Sequence, residues 1–376
     1  MTVYLDCNAT TPIEPEVLEL VLRYMRDEYG NSGSRTHEYG LKAMRAVNEA
    51  RGQVAQLLSA ELDEIVFTSG ATESNNLAIL GLADAATKAN RRHIISSPLE
   101  HKAVLEPLEH LANRGFEVEL LPADDRGWTD PAALKKALRP DTFLVSLMHV
   151  NNETGVTQPI EDYAQILEDH DAYFHVDAAQ GFGKEQNPLR LKRLDLVSIS
   201  GHKIYGPKGI GALLARRRNF QRPPLTPLAY GGGQERSLRP GTLPVPLIAG
   251  LGKAAQLANK NAAARATRNQ QHMQSALDAL LPLGAVVNGD KGRLLGNAIN
   301  LSFPNTDSEA VMLTLKGIAA VSNGSACTSH DYKPSHVLAN MGLGEGRAEG
   351  AIRLSWCHMT EEVAWNELTE RVSCLL

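Results

Sequence analysis

Apolar positions at residues 38–58 recur at helical spacing. Leu41, Met44, Val47, Val54, Leu57 and Leu58 fall on one face, which predicts an amphipathic helix. Short apolar runs then follow, each closed by polar or glycine residues: 65–68, 93–96, 143–148, 173–176 and 194–199. Runs of this length read as buried strands. Between them the period returns to helical, through residues 75–80, from about His101, and around 162–169. Strands alternating with helices predict an α/β fold with a mostly parallel sheet covered on both faces.

After Pro240-Gly241-Thr242-Leu243-Pro244 the pattern changes. An Ala-rich helical stretch runs over about residues 248–281 and leads into a smaller α+β region. That region reads as a strand at 297–302, a helix at 309–315, a loop around Cys327, a helix at 334–341, a strand at 351–355 and a last helix. The expected division is a large domain over residues 12–249 and a small domain built from residues 1–11 and 250–376.

With 376 residues and 43% hydrophobic content the chain can bury a large core. A net charge of −5 gives no basic footprint, so direct nucleic-acid binding is not expected. No apolar run reaches the ~18 residues of a membrane span. The start, Met1-Thr2-Val3-Tyr4-Leu5-Asp6, lacks the basic and apolar pattern of a signal peptide, and a cytoplasmic protein is expected. The four cysteines are scattered without a C-x-x-C, and the twelve histidines lack H-E-x-x-H, so neither a disulfide framework nor a metal centre is expected. Cys7, Cys357 and Cys374 read as structural or incidental.

The chemistry concentrates where strands end. Lys203 follows the run at 194–199 within Ser200-Gly201-His202-Lys203, and glycines come after it. Desolvation there lowers an amine's pKa and lets it form a Schiff base. Asp177 closes the run His175-Val176-Asp177. A Schiff-base lysine with an aspartate for a ring nitrogen is the recurring pattern of pyridoxal phosphate sites. Thr68-Ser69-Gly70-Ala71-Thr72 is a strand–turn–helix start, which offers amides and hydroxyls to a phosphate, unless Thr72 serves simply as the helix cap. Ser200 and His202 are further phosphate candidates. His101, at another strand-to-helix junction, is placed to stack on a cofactor or to move protons. Asn152 ends a further strand. Ligands of open α/β sheets collect beyond the carboxyl ends of strands, so Thr72, His101, Asn152, Asp177 and Lys203 are expected to converge. Cys327, in the polar loop Ser325-Ala326-Cys327-Thr328-Ser329, suits attack on a substrate atom followed by transfer elsewhere.

These motifs are similar, in order and almost end to end, to the pyridoxal-phosphate-dependent cysteine desulfurases of the class V aminotransferase family. The most specific stretches are Ser200-Gly201-His202-Lys203, Met148-His149-Val150-Asn151-Asn152-Glu153, Arg239-Pro240-Gly241-Thr242 and the Cys327 loop. The resemblance implies the type I aminotransferase fold, with a seven-stranded sheet in the large domain. It implies that Lys203 bonds the cofactor, that His101 stacks on its ring and that Asp177 pairs with the ring nitrogen. Gln180 would contact the ring hydroxyl, and Asn152 would border the cofactor. Ala71, Thr72, Ser200 and His202 would cradle the phosphate. Thr242 would reach the phosphate of a second subunit, which implies a homodimer. Asn152 and Arg353 would hold the carboxylate of L-cysteine, and Cys327 would take its sulfur as a persulfide for an acceptor protein.

The opening Leu5-Asp6-Cys7-Asn8-Ala9-Thr10 and the stretch around Ser32 look most like the Dnd-type desulfurases of DNA phosphorothioation; general members usually carry proline where Ser32 stands. The short extension after the last helix, ending at Leu376, leads us to expect a partner other than an iron–sulfur scaffold. The alternatives are a general sulfur donor for iron–sulfur clusters or thionucleosides, a selenocysteine lyase, an aminotransferase or β-lyase, and a sulfur carrier with a vestigial pocket.

Overall fold

The computed structural model describes residues 2–303, 305–323 and 335–376. Its strands are β1 (Val3–Tyr4), β2 (Ile65–Thr68), β3 (His93–Ser96), β4 (Glu117–Leu120), β5 (Thr142–Ser146), β6 (Tyr173–Asp177), β7 (Leu196–Ser200), β8 (Gly211–Ala215), β9 (Val286–Val287), β10 (Ala298–Ser302), β11 (Ala319–Ala320) and β12 (Ala351–Ser355). The central sheet has seven strands in the order β2-β8-β7-β6-β5-β3-β4. Only β8 runs antiparallel to its neighbours, β2 and β7. The expected fold class is therefore present.

Strands β2, β3, β5 and β7 are buried along their whole length, and so read as continuous apolar runs. Edge strand β4 carries Glu117 and Glu119 and is partly exposed, so the apolar-run criterion passes over it. One apolar layer gathers on one face of the sheet around Phe67, Phe174, Ile199 and the helix Glu38–Leu58. A second gathers on the other, around Val66, Leu77, Ile94 and Leu144. The helix Glu38–Leu58 starts where His37 accepts the Gly40 amide on Nδ1. The helix Pro15–Arg26, with proline in its first turn, lies outside the sequence expectation.

The long helix begins at Val245, three residues earlier than its Ala-rich pattern indicates, and continues to Leu280. Its Val245, Ile248, Leu251 and Leu257 join the core of the large sheet, whereas Ala276 and Leu280 join a separate apolar cluster around Trp356, Phe303 and Leu301. That second cluster lies on the antiparallel sheet β12-β10-β9. The first residues of the chain cross to it: β1 pairs with β11, and Asp6 bridges to Ser355.

Candidate active site

The parallel strands β2, β3, β5, β6 and β7 share a direction, so the segments that follow them emerge at one edge of the sheet. They enclose a cavity of about 570 Å³ lined by Ala71, Thr72, His101, Asn152, Asp177, Gln180, Ser200, His202, Lys203 and Arg353, with Asn8 and Asn75 beside them. Every residue expected at the site among those described is on this wall except Thr242, which is exposed on the segment before the long helix. Cys327 lies outside the described residues.

The helix Ala71–Leu80 starts at the cavity with Gly70 as its cap and no capping side chain. Thr72 is thus in the first turn of the helix rather than its cap, and the first-turn amides lack a capping side chain, an arrangement suited to an anion. The close turn requires small residues: a Cβ on Gly211 of β8 would lie 2.6 Å from Gly70 Cα. One turn after Thr72, Asn75 donates from Nδ2 to Asp177 Oδ2 at 2.7 Å, and the Ala179 amide donates to Asp177 Oδ1 at 2.9 Å. The carboxylate is thereby fixed at the end of β6.

Lys203 donates from Nζ to the carbonyl of Ala9 at 2.8 Å and to that of Asn8. Asn8 ties the site together. Its carbonyl also accepts Gln180 Nε2 at 3.0 Å, its Nδ2 donates to the Asn152 carbonyl at 3.1 Å, and its amide donates to Ser355 Oγ at 2.8 Å. Arg353, buried on β12, donates from Nη1 to the Asn152 carbonyl at 3.0 Å and from Nη2 to Asp6 Oδ1 at 2.6 Å.

Burial keeps the site's histidines neutral. It draws His101 below the usual imidazole range, with Lys203 pushing the same way. His101 Nδ1 accepts the Ala103 amide at 3.1 Å, which leaves the ring proton on Nε2. His202 is drawn down to about 4, by burial first and then by Lys203. Glu100, fully buried beside His101, is pushed well above the carboxylate range by burial and then by Asp177; it accepts the Met148 amide at 2.6 Å.

Pyridoxal phosphate fits this cavity. It meets an amine at one wall, a fixed carboxylate at the foot of the pocket, and an uncapped helix start with hydroxyls nearby. Asn152 Oδ1, Arg353 Nε and Asn75 Oδ1, all on wall residues, are buried without a protein partner among the described residues. Such atoms fit a polar occupant. Asn75, Asn8, Asp6 and Glu100 escaped the sequence reading as site residues. Asn75 was within reach of it, since it stands three residues after Thr72 on the same helix face. Asn8 and Asp6 act through contacts hundreds of residues away in the chain.

The model of the family "Aminotransferase class-V" matches residues 3–364. The chain is 45% identical over 368 residues to the cysteine desulfurase IscS of Rickettsia africae, covering 96% of this chain and 88% of that one. A NifS-like protein superposes with a TM-score of 0.91 at 37% identity, covering 99% of this chain and 98% of that one. DndA from Streptomyces lividans superposes with a TM-score of 0.83 at 50% identity, covering 93% of this chain and 98% of that one.

Proposed function

Since the chain belongs to the class V aminotransferase family and is a pyridoxal-phosphate-dependent cysteine desulfurase, we propose that it supplies sulfur for DNA phosphorothioation. The observation that carries this reading is the 50% identity with DndA, held over 93% of the chain. The similarity of the opening segment around Cys7 and Asn8 to Dnd-type enzymes points the same way. With a net charge of −5, the enzyme reaches DNA through an acceptor protein rather than by binding it.

When bound, pyridoxal phosphate supplies an electron sink that loosens the Cβ–S bond of cysteine. In this reading Lys203 bonds the cofactor through Nζ and, once released, moves the proton at the substrate Cα. Asp177 holds a proton on the ring nitrogen, and Asn75 holds Asp177. The amides of Ala71 and Thr72, with Thr72, Ser200 and His202, take the phosphate. His202 is neutral, so it serves as a hydrogen-bond donor there rather than as a charge. Gln180 and Asn152 border the ring, and His101 stacks on it and carries protons to and from the substrate sulfur. Arg353 and Asn152 orient the substrate carboxylate. The Cys327 thiolate attacks the substrate sulfur; a new S–S bond forms, the Cβ–S bond breaks, and its electron pair leaves with the fragment that becomes alanine. Thr242, exposed on a single chain, completes the phosphate site of a second subunit in a homodimer.

The test is complementation. Expressed in a phosphorothioating bacterium that lacks its own desulfurase, the chain should restore phosphorothioate linkages detectable by mass spectrometry of digested DNA, and Cys327→Ser should not. Failure to restore them, together with rescue of iron–sulfur enzymes in a strain lacking its general desulfurase, would transfer the assignment to general sulfur supply, the activity expected from the IscS likeness.

A further inference from the structure

Away from the cofactor cavity, the structure brings together two cysteines that stand 350 positions apart in the sequence. Cys7 follows the Asp6–Ser355 bridge and Cys357 lies just past the end of β12. The Cys7 amide donates to the Ser355 carbonyl at 3.1 Å. Both side chains are buried in one cluster with Tyr205, and the two thiols lie within each other's electrostatic reach.

The two sulfurs are not equivalent. The Cys357 sulfur accepts a hydrogen bond from Thr360 Oγ1 at 3.7 Å, and the Thr360 amide donates to the Cys357 carbonyl at 3.0 Å, so a tight turn closes over the sulfur. A hydroxyl donor at the sulfur favours its thiolate form. The neighbouring Cys7 side chain draws the Cys357 thiol below its ordinary range against the opposing effect of burial, while Cys7 is pushed up. Lys184 is brought down to about 8 by burial and sits within the field of both sulfurs. A cavity of about 180 Å³, separate from the cofactor pocket, is lined by both cysteines together with exposed Tyr4 and Glu361. Small oxidants thus have a route to the pair.

We propose that Cys7 and Cys357 form a second reactive-thiol site, a dithiol that a hydroperoxide converts to an internal disulfide independently of Cys327. The Cys357 thiolate attacks the terminal peroxide oxygen; the O–O bond breaks and the leaving oxygen takes a proton, leaving a sulfenic acid on Cys357. The Cys7 sulfur then attacks the Cys357 sulfur; the S–O bond breaks and hydroxide departs with the Cys7 proton as water. The two thiols lose two electrons and two protons, and the peroxide becomes an alcohol, or water, plus water. Cys357 is the attacking thiol and Cys7 the resolving one. The pair adjoins the active site through the chain itself, because Cys7 precedes Asn8, whose carbonyl receives Lys203 Nζ and Gln180 Nε2.

The experiment uses the pyridoxal-phosphate-loaded enzyme carrying Cys327→Ser and Cys374→Ser, which leaves two of the four cysteines. Treated with hydrogen peroxide, it should lose two hydrogens in intact mass, lose both alkylatable thiols after denaturation, and yield a dithiothreitol-reversible cross-link between the peptides containing Cys7 and Cys357. Adding Cys7→Ala should stop the reaction at a dimedone-reactive sulfenic acid on Cys357. Persistence of two alkylatable thiols, or oxygen added to either sulfur without a cross-link, would overturn the proposal. Dimedone labelling of Cys7 in a Cys357→Ala variant at the rate seen for Cys357 would also overturn the assigned roles.

Discussion

Arg353 and Asp6 form an ion pair at 2.6 Å, with the arginine side chain 3% exposed and on the wall of the cofactor cavity. Asp6 and the Asn152 carbonyl aim the guanidinium, while Nε has no protein partner among the described residues. The arrangement is a positioned cation with hydrogen-bonding capacity to spare, which suits a substrate carboxylate. Arg353→Ala should therefore raise the KM for cysteine about 10- to 100-fold, the equivalent of one or two charge-assisted hydrogen bonds. Steady-state alanine formation measures it, and an unchanged KM would remove Arg353 from the substrate site. The variant should also melt earlier, because Asp6 then loses its partner.

Lys203→Ala removes the amine that the Asn8 and Ala9 carbonyls hold in the cavity. The purified variant mixed with pyridoxal phosphate should lack the visible band of the covalently held cofactor. Cysteine turnover should fall at least ~10³-fold, the scale on which loss of a covalent and proton-moving group is felt. Retention of the band would place the bond to the cofactor on another amine.

Asn75 orients Asp177 through a buried 2.7 Å hydrogen bond. Asn75→Ala should leave Asp177 Oδ2 short of a donor, lower kcat by roughly tenfold and weaken cofactor retention, because losing a partner to a buried charged group costs about 1–3 kcal/mol. Asn75→Asp should be worse, since a second carboxylate facing Asp177 raises the pKa of the pair and discourages an anion at the ring nitrogen. Cofactor retained after desalting and kcat at saturating cysteine are the two readouts.

The part of the site that the sequence disclosed shares one physical cause. Asp177 and the Ser200–Lys203 stretch follow apolar runs directly, and a polar group that ends a buried strand is conspicuous. Thr72 and His101 stand at strand-to-helix turns, which carry their own turn and capping marks. Asn8 and Asp6 carry no such mark. Asn8 earns its place through Lys203, Gln180, Asn152 and Ser355, contacts that exist only once the chain has folded. The Cys7–Cys357 contact is hidden for the same reason. An element was missed where periodicity is weak: β4 is a short edge strand with two glutamates.

His101 titrates below the ordinary imidazole range because burial opposes its charge. If it carries protons for the substrate sulfur, kcat/KM should fall on the acid side with an apparent pKa under about 6.5, the unperturbed histidine value. His101→Gln should lower kcat and flatten that acid limb. A limb that survives the substitution unchanged belongs to another group.

His175 sets a pH limit on the fold itself. It is fully buried between β5 and β7, with Nδ1 at 2.8 Å from Ser146 Oγ and Nε2 at 2.9 Å from Ser198 Oγ, and burial pulls it down to about 3. His149, also buried, is pulled down to about 3 by the same cause. Both are depressed in the folded state, so above pH ~6.5 neither makes stability depend on pH, because the unfolded chain is neutral there too. Below it the unfolded chain takes up protons that the fold refuses. Stability then falls by up to about 1.4 kcal/mol per pH unit for each histidine, or about 3 kcal/mol for the two between pH 6.5 and 5. Glu100 acts with the opposite sign, because burial and then Asp177 raise its pKa in the fold. Comparing the wild type with His175→Gln isolates one histidine from that background. Urea denaturation at pH 6.5 and pH 5 should show the variant losing about 2 kcal/mol less than the wild type across the interval. Equal losses would mean that His175 takes up a proton in the folded state, and that the two serines accept from it as a cation.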